Sequence, residues 1–320
     1  MAVTVSVIIP AKDCRDVIGQ CLDSLSEQSL SPVDVIVVDD GSSDGTGEVA
    51  GKNAISAKVI RQEESAGYAG ASNRGLAETS GDWIAVLNAD TEAHPDFIAE
   101  MASATTAMDN VGMVASRVLL AGTDGLLDSA GLRMHRSGMA FLRGHKSPDR
   151  PDDTLPVSED VFGPAGSAAM YKRELIETAG FFEPDYFIYY EDVDLAWRAR
   201  WKGYSCVLAN RARIMHHHSY TMSGLSATKR YLLQRNRGRT MARNWPLSWF
   251  VKYSPWIAPY NMGSVFVAAR EGNLRSAARA RVDFLKYLGP DLKASKNIIE
   301  PGRTREMEKW LSQDSYDIQL

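Results

Sequence analysis

The first third of the chain alternates between short apolar runs and amphipathic stretches. Short apolar runs predict buried strands, and apolar residues spaced three or four positions apart predict helices. The predicted strands are VTVSVIIP, VDVIVVDD, AKVIRQ and DWIAVLNAD. Helices are predicted over residues 15–29, after GSSDGT, and in GYAGASNRGLAET and HPDFIAEMASATTAM. This alternation predicts an α/β fold with a Rossmann-like, mostly parallel sheet flanked by helices.

The remainder of the chain is less regular. Residues 110–165 contain Gly/Asp turns and the polar stretch HKSPDRPDDTLPVSED, which predicts a mobile loop. A strand, a helix and a turn follow in GPAGSAAMYKRELIETAGFFEPDYF, and basic helical stretches follow a run of histidines. We therefore expect an α/β domain at residues 1–225 and a basic, aromatic-rich helical C-terminal region at 226–320.

The charge distribution is uneven along the 320 residues. The formal net charge is −4, yet 14 Lys and Arg stand against three acidic residues between Lys229 and Lys296. A basic segment on an acidic body favours an anionic surface as a neighbour. No zinc-finger spacing or RNA-binding signature is present, so we expect no nucleic-acid partner. The three cysteines match no metal-binding spacing and favour a reducing compartment, and MAVTVSVIIPAKD does not resemble a secretion signal.

Glycine-rich signatures of the common nucleotide-binding folds are missing. The first strand is followed by PAKDC rather than by G-x-G-x-x-G. The stretch GTGEVAGKN has the wrong glycine spacing for a P-loop, and Asn53 replaces the Ser or Thr that would hold magnesium. These two observations exclude hydride transfer on a dinucleotide and P-loop chemistry.

Carboxylates gather at three points of the chain. Asp39 and Asp40 follow the second predicted strand, and Asp90 follows the fourth. Ligands of parallel sheets bind beyond the carboxyl ends of the strands, so these side chains are candidates for a site. Glu191 and Asp192 open the predicted helix in YYEDVDLAWRARWKGY. Acidic residues there fit a helix start through the macrodipole, and the alternative is a catalytic base.

In order and spacing, VVDDGSSDGT, LNADTEAHP and YYEDVDLAWRARWKGY resemble the family 2 inverting glycosyltransferases, which have the A-type glycosyltransferase fold. The resemblance continues through GYAGASNRG, GPAGSAAMYKRELIETAGFFEPDYF, the histidine run and YLLQRNR, and covers roughly residues 3–245. It is strongest toward rhamnosyltransferase-like members that build bacterial cell-wall or O-antigen polysaccharide. It implies a catalytic domain at 1–225, with a nucleotide-binding half at about 1–110 and an acceptor half at about 111–225.

The resemblance implies a pocket for a nucleotide-sugar donor. Asp39 and Asp40 would contact the base and the ribose, because a carboxylate accepts hydrogen bonds from hydroxyls and from a ring N–H. Capping of the following helix is the alternative for this pair. Pro10, Ala11 and Asp13, at the end of the first strand, would form the other wall of the base pocket.

Three further motifs of the family have matches. Asn88 replaces the first aspartate of the usual Asp-x-Asp motif and would face the sugar-nucleotide. Asn73 and Arg74 match an Asn-Arg-Gly motif, in which Arg74 would contact the diphosphate or, alternatively, form a helical salt bridge. An Arg-Asn-Arg motif would line the nucleotide-phosphate or acceptor side, or form a solvated basic helix face. Its residues are Arg235, Asn236 and Arg237.

The resemblance also implies a divalent cation. Asp90 matches the metal-binding aspartate, and His216 best matches the second protein ligand. Residues RIM before the histidine run predict a strand, so His218 would share a face with His216 and is the substitute. Adjacent histidines on a surface turn, or one core histidine with two exposed neighbours, are the alternatives. Carboxylate and diphosphate oxygens suit Mg²⁺, and an imidazole ligand favours Mn²⁺.

Asp192 corresponds to the catalytic base of the family. It would deprotonate the acceptor hydroxyl during inverting transfer, Glu191 would position the acceptor or the loop, and Asp194 is expected to be structural. The expected donor is dTDP-rhamnose, with a UDP-hexose or UDP-galactofuranose as the alternative. A non-catalytic nucleotide-sugar-binding protein and a nucleotidyltransferase are the rival classes.

The segment at 245–270 is apolar and aromatic. Lys252 and three prolines interrupt it, so it makes a poor transmembrane helix. Tryptophan and tyrosine beside basic residues suit a membrane interface. The resemblance implies a glycan or polyprenyl-diphosphate-linked acceptor. Together with such an acceptor, this segment predicts a cytoplasmic protein attached to the inner face of the cell membrane. Packing on the catalytic domain or on a second copy of the chain, as a homo-oligomer, is the alternative.

Overall fold

A computed structural model of the chain describes residues 3–149, 158–218 and 227–312. Its first half repeats a strand and a helix four times, which confirms the predicted alternation. The elements are β1 (Val5–Ala11), α1 (Arg15–Ser26), β2 (Asp34–Asp39), α2 (Thr46–Gly51), β3 (Lys58–Arg61), α3 (Gly67–Leu76), β4 (Trp83–Leu87), β5 (Thr91–Ala93) and α4 (Phe97–Ala104).

The next part of the chain contributes mainly strands. They are β6 (Val111–Leu120), β7 (Leu127–Ser129), β8 (Leu132–His135), β9 (Ala140–Leu142), β10 (Ser158–Asp160) and β11 (Ala168–Lys172), followed by α5 (Arg173–Ala179), α6 (Glu191–Trp201) and β12 (Ser205–His216). The predicted mobile loop HKSPDRPDDTLPVSED lies half outside the described residues. The strand predicted before the histidine run is confirmed as β12.

The strands form one large twisted layer in the order β10-β12-β6-β11-β4-β1-β2-β3. The strands β4, β1, β2 and β3 are parallel neighbours, and β12 is parallel to β6. The strand β11 joins the two parallel groups and is antiparallel to both of its neighbours. The carboxyl ends of β1, β2 and β4 therefore meet at one edge of the sheet, as the sequence predicts.

Helices cover both faces of this sheet. Alternate residues of β1 enter different clusters: Val7 and Ile9 belong to one hydrophobic cluster, and Ile8 belongs to the other. A parallel strand that is buried on both faces shows this pattern, because successive side chains point to opposite sides. The predicted α/β fold with flanking helices is confirmed.

The C-terminal residues form a helical extension that packs on the sheet domain. Its elements are α7 (Ala227–Asn244), α8 (Leu247–Lys252), α9 (Ser254–Arg270), α10 (Leu274–Ile298), α11 (Thr304–Glu308) and β13 (Leu311–Ser312). Trp245 and Trp249 lie in the same hydrophobic cluster as Trp197 and Trp201 of α6. In a small second sheet, β13 pairs with β8. The extension and the sheet domain therefore share a core.

A buried ionic network ties α6 to the extension. Asp194 accepts hydrogen bonds from Arg198 of α6 at 2.8 Å and from Arg243 and Asn244 of α7 at 3.0 and 2.8 Å. Burial opposes ionisation of Asp194, but the charges of Arg198 and Arg243 outweigh burial and lower the pKa of Asp194 to about 2. The expected structural role of Asp194 is confirmed.

Asp194→Asn is expected to destabilise the fold by about 3–5 kcal/mol, because it leaves the buried guanidinium of Arg198 without its counter-charge, while Arg243 keeps Glu183 and Asp291. The lowered pKa means that the carboxylate stabilises the native state fully above its unfolded pKa, near pH 4, and loses this effect as pH falls through about 2. Urea denaturation followed by circular dichroism measures both effects. Glu174→Gln, which removes an exposed pair with Lys172, is the matched control and should change little. Equal stability of the Asp194 variant and wild type would contradict the account.

Candidate active site

A cavity of about 350 Å³ opens at the carboxyl edge of the parallel strands. Its walls come from the ends of β1, β2 and β4, from the start of α3, from a segment before α6, and from α7. The lining residues are Pro10, Ala11, Lys12, Cys14, Asp40, Ser65, Gly67, Tyr68, Ala71, Asn88, Ala89, Asp90, Phe187, Ile188, Thr228 and Leu232. The predicted residues Pro10, Ala11, Asp40, Asn88 and Asp90 are thus brought together.

The two acids after β2 face different ways, because successive side chains of a strand point to opposite faces. Asp40 lines the cavity, and its carboxylate accepts hydrogen bonds from the N–H groups of Ala66 and Gly67 and from the Ser65 hydroxyl. Asp39 is buried on the other side, where it accepts a hydrogen bond from the Ser42 N–H at 2.9 Å. Asp40 therefore anchors the start of α3 at the cavity wall, and a nucleotide contact of Asp39 stays a prediction.

Asp13 is held outside the described cavity lining. Its φ angle of 47° is left-handed, and its carboxylate accepts a hydrogen bond from the Ser43 N–H at 2.8 Å. Its neighbours Lys12 and Cys14 line the cavity instead. The ammonium group of Lys12 donates to the carbonyl oxygens that follow β2, so the ends of β1 and β2 are tied together.

A cluster of carboxylates and imidazoles lies at the end of β4. His216 is buried at the end of β12, and its Nε2 lies 3.3 Å from Asp90 Oδ1 and 3.3 Å from Asn88 Nδ2. Its Nδ1 lies 2.8 Å from Asp128 Oδ2, which also lies 3.1 Å from His218 Nε2. The ring centroids of the two histidines are 3.9 Å apart, but β12 ends at His216 and His218 has a φ of 51°, so this proximity does not come from the predicted shared strand face.

The donor set fits a divalent cation. Asp128, His216 and His218 each present a ligand atom within 4.8 Å of the others, and Asp90 approaches His216 from the cavity side. Burial disfavours a charged imidazole, but Asp128 and Asp90 outweigh it and raise the pKa of His216 to about 9. The negative charges of Asp90 and Asp128 thus exceed the single positive charge that a protonated His216 ring carries. Carboxylate oxygens with a histidine nitrogen are ligands that Mn²⁺ accepts well.

The acidic pair at the start of α6 is arranged asymmetrically. Asp192 accepts the N–H of Gly166 at 2.8 Å and that of Val193 at 2.7 Å. Glu191 is buried, and its Oε2 has no hydrogen-bond partner in the described part of the chain. Burial raises the pKa of both carboxyl groups. The two N–H donors favour the charged form of Asp192, so Asp192 is the more readily ionised member of the pair.

Tyr68 connects this pair to the cavity. Its ring lines the cavity, and its hydroxyl donates to the carbonyl of Gly166, whose N–H in turn donates to Asp192. Burial raises the pKa of Tyr68 well above its usual value, and the charges of Glu191, Asp192 and Asp90 raise it further. Asp90 and the acidic pair of α6 therefore act electrostatically on the same hydroxyl.

The segment that leads into α6 has an unusual backbone. Phe187, Tyr189 and Tyr190 have φ angles of 66°, 70° and 71°. A left-handed conformation costs a non-glycine residue about 1–3 kcal/mol, so the surrounding structure must hold this segment. Gly67 allows its close approach, because a Cβ at Gly67 would lie 2.4 Å from the Phe187 carbonyl oxygen. Strain concentrated beside a cavity and an acidic pair is typical of functional sites.

The two side chains of the Asn-Arg-Gly motif, Asn73 and Arg74, lie on α3 outside the described cavity lining. Arg74 is not among the described lining residues, and it forms a salt bridge with Glu78 at 3.0 Å. This is the helical salt bridge that the sequence left as the alternative. Asn73 donates to the carbonyl of Phe182 at 2.7 Å and so fixes the segment after α5. A contact of Arg74 with the diphosphate of the nucleotide-sugar donor stays a prediction.

The Arg-Asn-Arg motif is buried rather than solvated, so the interpretation as a solvated basic helix face is wrong. Arg235 donates to the carbonyls of Asp185 and Tyr186, and Asn236 donates to carbonyls of the same segment. Arg237 donates to the carbonyl of Ser137. The motif is covered because α10 packs along α7. Its guanidinium and amide groups are bonded mainly to backbone carbonyls, and a place on the nucleotide-phosphate or acceptor side stays a prediction.

The sequence missed several parts of the site. Asp128 comes from β7, a strand of three residues with no recognisable motif. Tyr68 lies in the matched stretch GYAGASNRG, whose position beside the cavity was the available signal. Lys12 follows the first predicted strand directly, and the same strand-end rule could have singled it out. Phe187 and Ile188 carry no signal of their own, because their place depends on the strained backbone.

The chain belongs to glycosyl transferase family 2: the family model with that description matches residues 6–180. The protein is therefore a glycosyltransferase, and the family resemblance is confirmed.

Two curated relatives and one solved structure are similar to the chain. The N-acetylglucosaminyl-diphospho-decaprenol L-rhamnosyltransferase of Mycobacterium tuberculosis (strain CDC 1551 / Oshkosh) is 28% identical over 221 residues, which is 62% of this chain and 71% of that protein. The amylovoran biosynthesis glycosyltransferase AmsB of Erwinia amylovora is 27% identical over 312 residues, 89% of this chain and 95% of the relative. GalNAc-T7, solved with UDP, GalNAc and Mn²⁺, superposes with a TM-score of 0.64 at 14% identity, over 92% of this chain and 58% of that one. This last likeness shows the shared fold.

Proposed function

We propose that the protein is a metal-dependent inverting glycosyltransferase that moves rhamnose from dTDP-rhamnose to a hydroxyl of a glycan or lipid-linked glycan. The observation that carries the proposal is Asp192: an ionisable carboxylate, held by two backbone N–H groups and linked through Gly166 to Tyr68, which lines the cavity at the carboxyl edge of the parallel strands. The relative that transfers rhamnose to a diphospho-decaprenol acceptor supports the donor and the acceptor class. Membership in a glycosyltransferase family argues against the binding-protein and nucleotidyltransferase alternatives.

Asp192 acts as the general base. It takes the proton of the acceptor hydroxyl while that oxygen attacks the anomeric carbon, and attack opposite the diphosphate inverts the configuration. Each Asp192 oxygen accepts one N–H and keeps a further lone pair for this proton. Burial raises the pKa of Glu191, whose Oε2 has no hydrogen-bond partner among the described residues, so Glu191 keeps its proton to a higher pH than Asp192 does.

Asp90 and His216 Nε2 would hold the divalent cation, Mn²⁺ or Mg²⁺. When bound, the cation neutralises charge on the leaving diphosphate as a Lewis acid. Asp128 accepts from Nδ1 of His216, which fixes the tautomer with Nε2 directed toward Asp90. Asn88 lies beside the same nitrogen at 3.3 Å, and its amide is available to the donor. His218 is half-exposed against Asp128 and is the substitute ligand.

The donor is identified by which nucleoside diphosphate is released. The protein would be incubated with dTDP-rhamnose, UDP-hexoses, UDP-galactofuranose or GDP-mannose, each with Mn²⁺, Mg²⁺ or EDTA and a lipid-linked acceptor extract. We expect metal-dependent release of dTDP from dTDP-rhamnose. Release of UDP from a UDP-sugar would replace rhamnose with that sugar. Release of inorganic diphosphate, or saturable donor binding without turnover of any donor, would contradict glycosyl transfer.

A lipid-linked acceptor requires the protein to work at a membrane, and the C-terminal helices carry a suitable surface. In the described ranges no helix is both long and apolar enough to cross a membrane. In the 17-residue helix α9 only Ala268 is buried, while Met262 and Phe266 are more than two-thirds exposed. Exposed apolar residues continue on α8 with Val251 and on α10 with Leu285.

Basic side chains accompany these apolar residues. Arg270 ends α9, and Arg275 and Arg279 lie on the exposed part of α10. An anionic bilayer would receive the apolar side chains and attract each basic residue by about 1 kcal/mol. A second copy of the chain would instead bring like charges together. We therefore assign this surface to the cytoplasmic face of an anionic membrane.

Phe266→Asp is expected to weaken sedimentation with phosphatidylglycerol-containing vesicles about tenfold, because it removes one buried aromatic anchor and adds a repelled charge. Val33→Asp, at an exposed valine before β2, is the matched control and should bind as wild type does. Binding to pure phosphatidylcholine should be weaker throughout. A wild-type dimer in sedimentation equilibrium that Phe266→Asp converts to monomer, with no change in vesicle binding, would assign the surface to a second copy instead.

A further inference from the structure

The segment that carries Asp192 into the site is held by side chains of α7. Every backbone carbonyl from residue 185 to residue 189 accepts a hydrogen bond. Asn236 is fully buried, and its Nδ2 lies 3.0, 3.0 and 2.7 Å from the carbonyl oxygens of Tyr186, Ile188 and Tyr189. The N–H of Ala69 donates to the carbonyl of Phe187 at 3.0 Å.

Arg235 completes this arrangement. Its guanidinium donates to the carbonyls of Asp185 and Tyr186 at 2.8 and 2.9 Å, and its Nε donates to Oδ1 of Asn236 at 2.9 Å. The last bond determines the orientation of the Asn236 amide. A flipped amide would place its NH₂ against the guanidinium and its oxygen against three carbonyls.

We propose that Arg235 and Asn236 are positioning residues that hold the left-handed residues of the segment 185–190 in place and thereby aim Asp192 at the acceptor. Left-handed residues other than glycine persist only where their surroundings over-determine them. Here the two N–H bonds of Asn236 Nδ2 are shared among the carbonyls of Tyr186, Ile188 and Tyr189, and the carbonyl of Tyr186 also accepts from Arg235. Glu191 and Asp192 follow directly at the start of α6, so their direction depends on this segment.

The same contacts make the C-terminal extension part of the catalytic apparatus. Both positioning residues lie on α7, beyond the residues matched by the family model. Phe187 and Ile188 of the held segment line the cavity, and Leu232 of α7 lines it as well. A change in the packing of α7 would therefore alter the position of the general base through Arg235 and Asn236. This inference rests on the proposed role of Asp192.

The test compares variants of Asn236 in the full chain. Asn236→Asp keeps the shape and removes the donor, and Asn236→Ala removes both. Either is expected to lower kcat about 100-fold, the effect of displacing a reacting group by about 1 Å. The affinity for the nucleoside diphosphate, measured by calorimetry, should fall less, because most of the cavity wall lies outside this segment.

Rescue distinguishes positioning from a general loss of structure. Adding Tyr189→Gly to Asn236→Ala should restore at least about tenfold of kcat, because glycine adopts a positive φ without steric cost. A protein that was merely destabilised would lose further stability and activity on this change. If the Asn236 variants do not fold, Arg235→Lys carries the test. Its matched control is Arg230→Lys, at a buried arginine of the same helix that pairs with Glu271 instead.

Wild-type kcat in Asn236→Asp, or in Arg235→Lys where that variant carries the test, would overturn the proposal, and so would a double variant without recovery. These outcomes are separable from failure of the proposed function. That failure would show as an absence of transfer by the wild type, or as full activity of Asp192→Asn, whatever the Asn236 variants do.

Discussion

Asp192→Asn is expected to lower kcat of sugar transfer by about 10³-fold, within the range that a positioned general base contributes. Asparagine keeps the size of the side chain but cannot accept the acceptor proton. The affinity for the donor should change by less than about threefold, because the lost interaction belongs to the transition state. Rates of nucleoside diphosphate release and calorimetric titration with the nucleoside diphosphate measure the two quantities.

The neighbouring acid provides the matched control for this variant. Burial raises the pKa of Glu191 well above its usual value, and glutamine imitates a protonated glutamate. Glu191→Gln should therefore retain kcat within about tenfold of wild type, since no proton transfer is removed. If Glu191→Gln lost as much activity as Asp192→Asn, the assignment of the base would have to move to Glu191.

Asp90→Asn is expected to weaken Mn²⁺ binding by more than about 100-fold, which exceeds the usual loss at an outer-sphere partner. The carboxylate oxygen beside His216 Nε2 disappears, and an amide is a weaker ligand for a hard cation. Free Mn²⁺ would be measured by electron paramagnetic resonance, with nucleoside diphosphate present. Chelation by EDTA should stop transfer by the wild type, and added Mn²⁺ should restore it.

Asp128→Asn separates direct ligation from orientation of His216. Its carboxylate contacts Nδ1 of His216 while Asp90 faces Nε2, so we expect a smaller loss of Mn²⁺ affinity, about 10- to 100-fold. Glu92→Gln, at an exposed acid beside His217, is the matched control and should bind as wild type does. Unchanged Mn²⁺ binding in both Asp90→Asn and Asp128→Asn would contradict a cation at this site.

Elements with a strong apolar period could be predicted from the sequence. The strands β1, β2, β3 and β4 and the helices between them follow from alternating runs, and their parallel order places Asp40 and Asp90 at one edge. The short strands β7, β8 and β9 could not be predicted, because three or four residues carry too little period. Their pairing depends on partners that are distant in the chain.

Asp128 shows why part of the site was missed. It is 88 positions from His216, and only the pairing of β7 with β6 and of β6 with β12 brings the two together. Its own neighbourhood, LLDSAG, indicates a turn as readily as a strand. The position of the histidines could be predicted, because they belong to a family motif and follow a predicted strand. Their acidic partner became visible only in three dimensions.

The burial of the arginines of α7 is the feature that was hardest to predict from the sequence. A helix that carries Arg230, Arg235, Arg237 and Arg239 suggests a solvated face, since arginine is rarely buried without a partner. In the structure these four side chains are buried against carbonyls and carboxylates supplied by other elements. Those partners lie up to 100 positions away, so no local pattern could indicate them.

The central claim is direct displacement with Asp192 as the only base, and the anomeric configuration of the product tests it most directly. The donor selected by the release assay would be reacted with its acceptor, and the new glycosidic bond would be analysed by nuclear magnetic resonance. We predict the opposite anomeric configuration from that of the donor, with formation of this product slowed about 10³-fold in Asp192→Asn. Retention of the donor configuration, or product formation by Asp192→Asn at the wild-type rate, would contradict the mechanism.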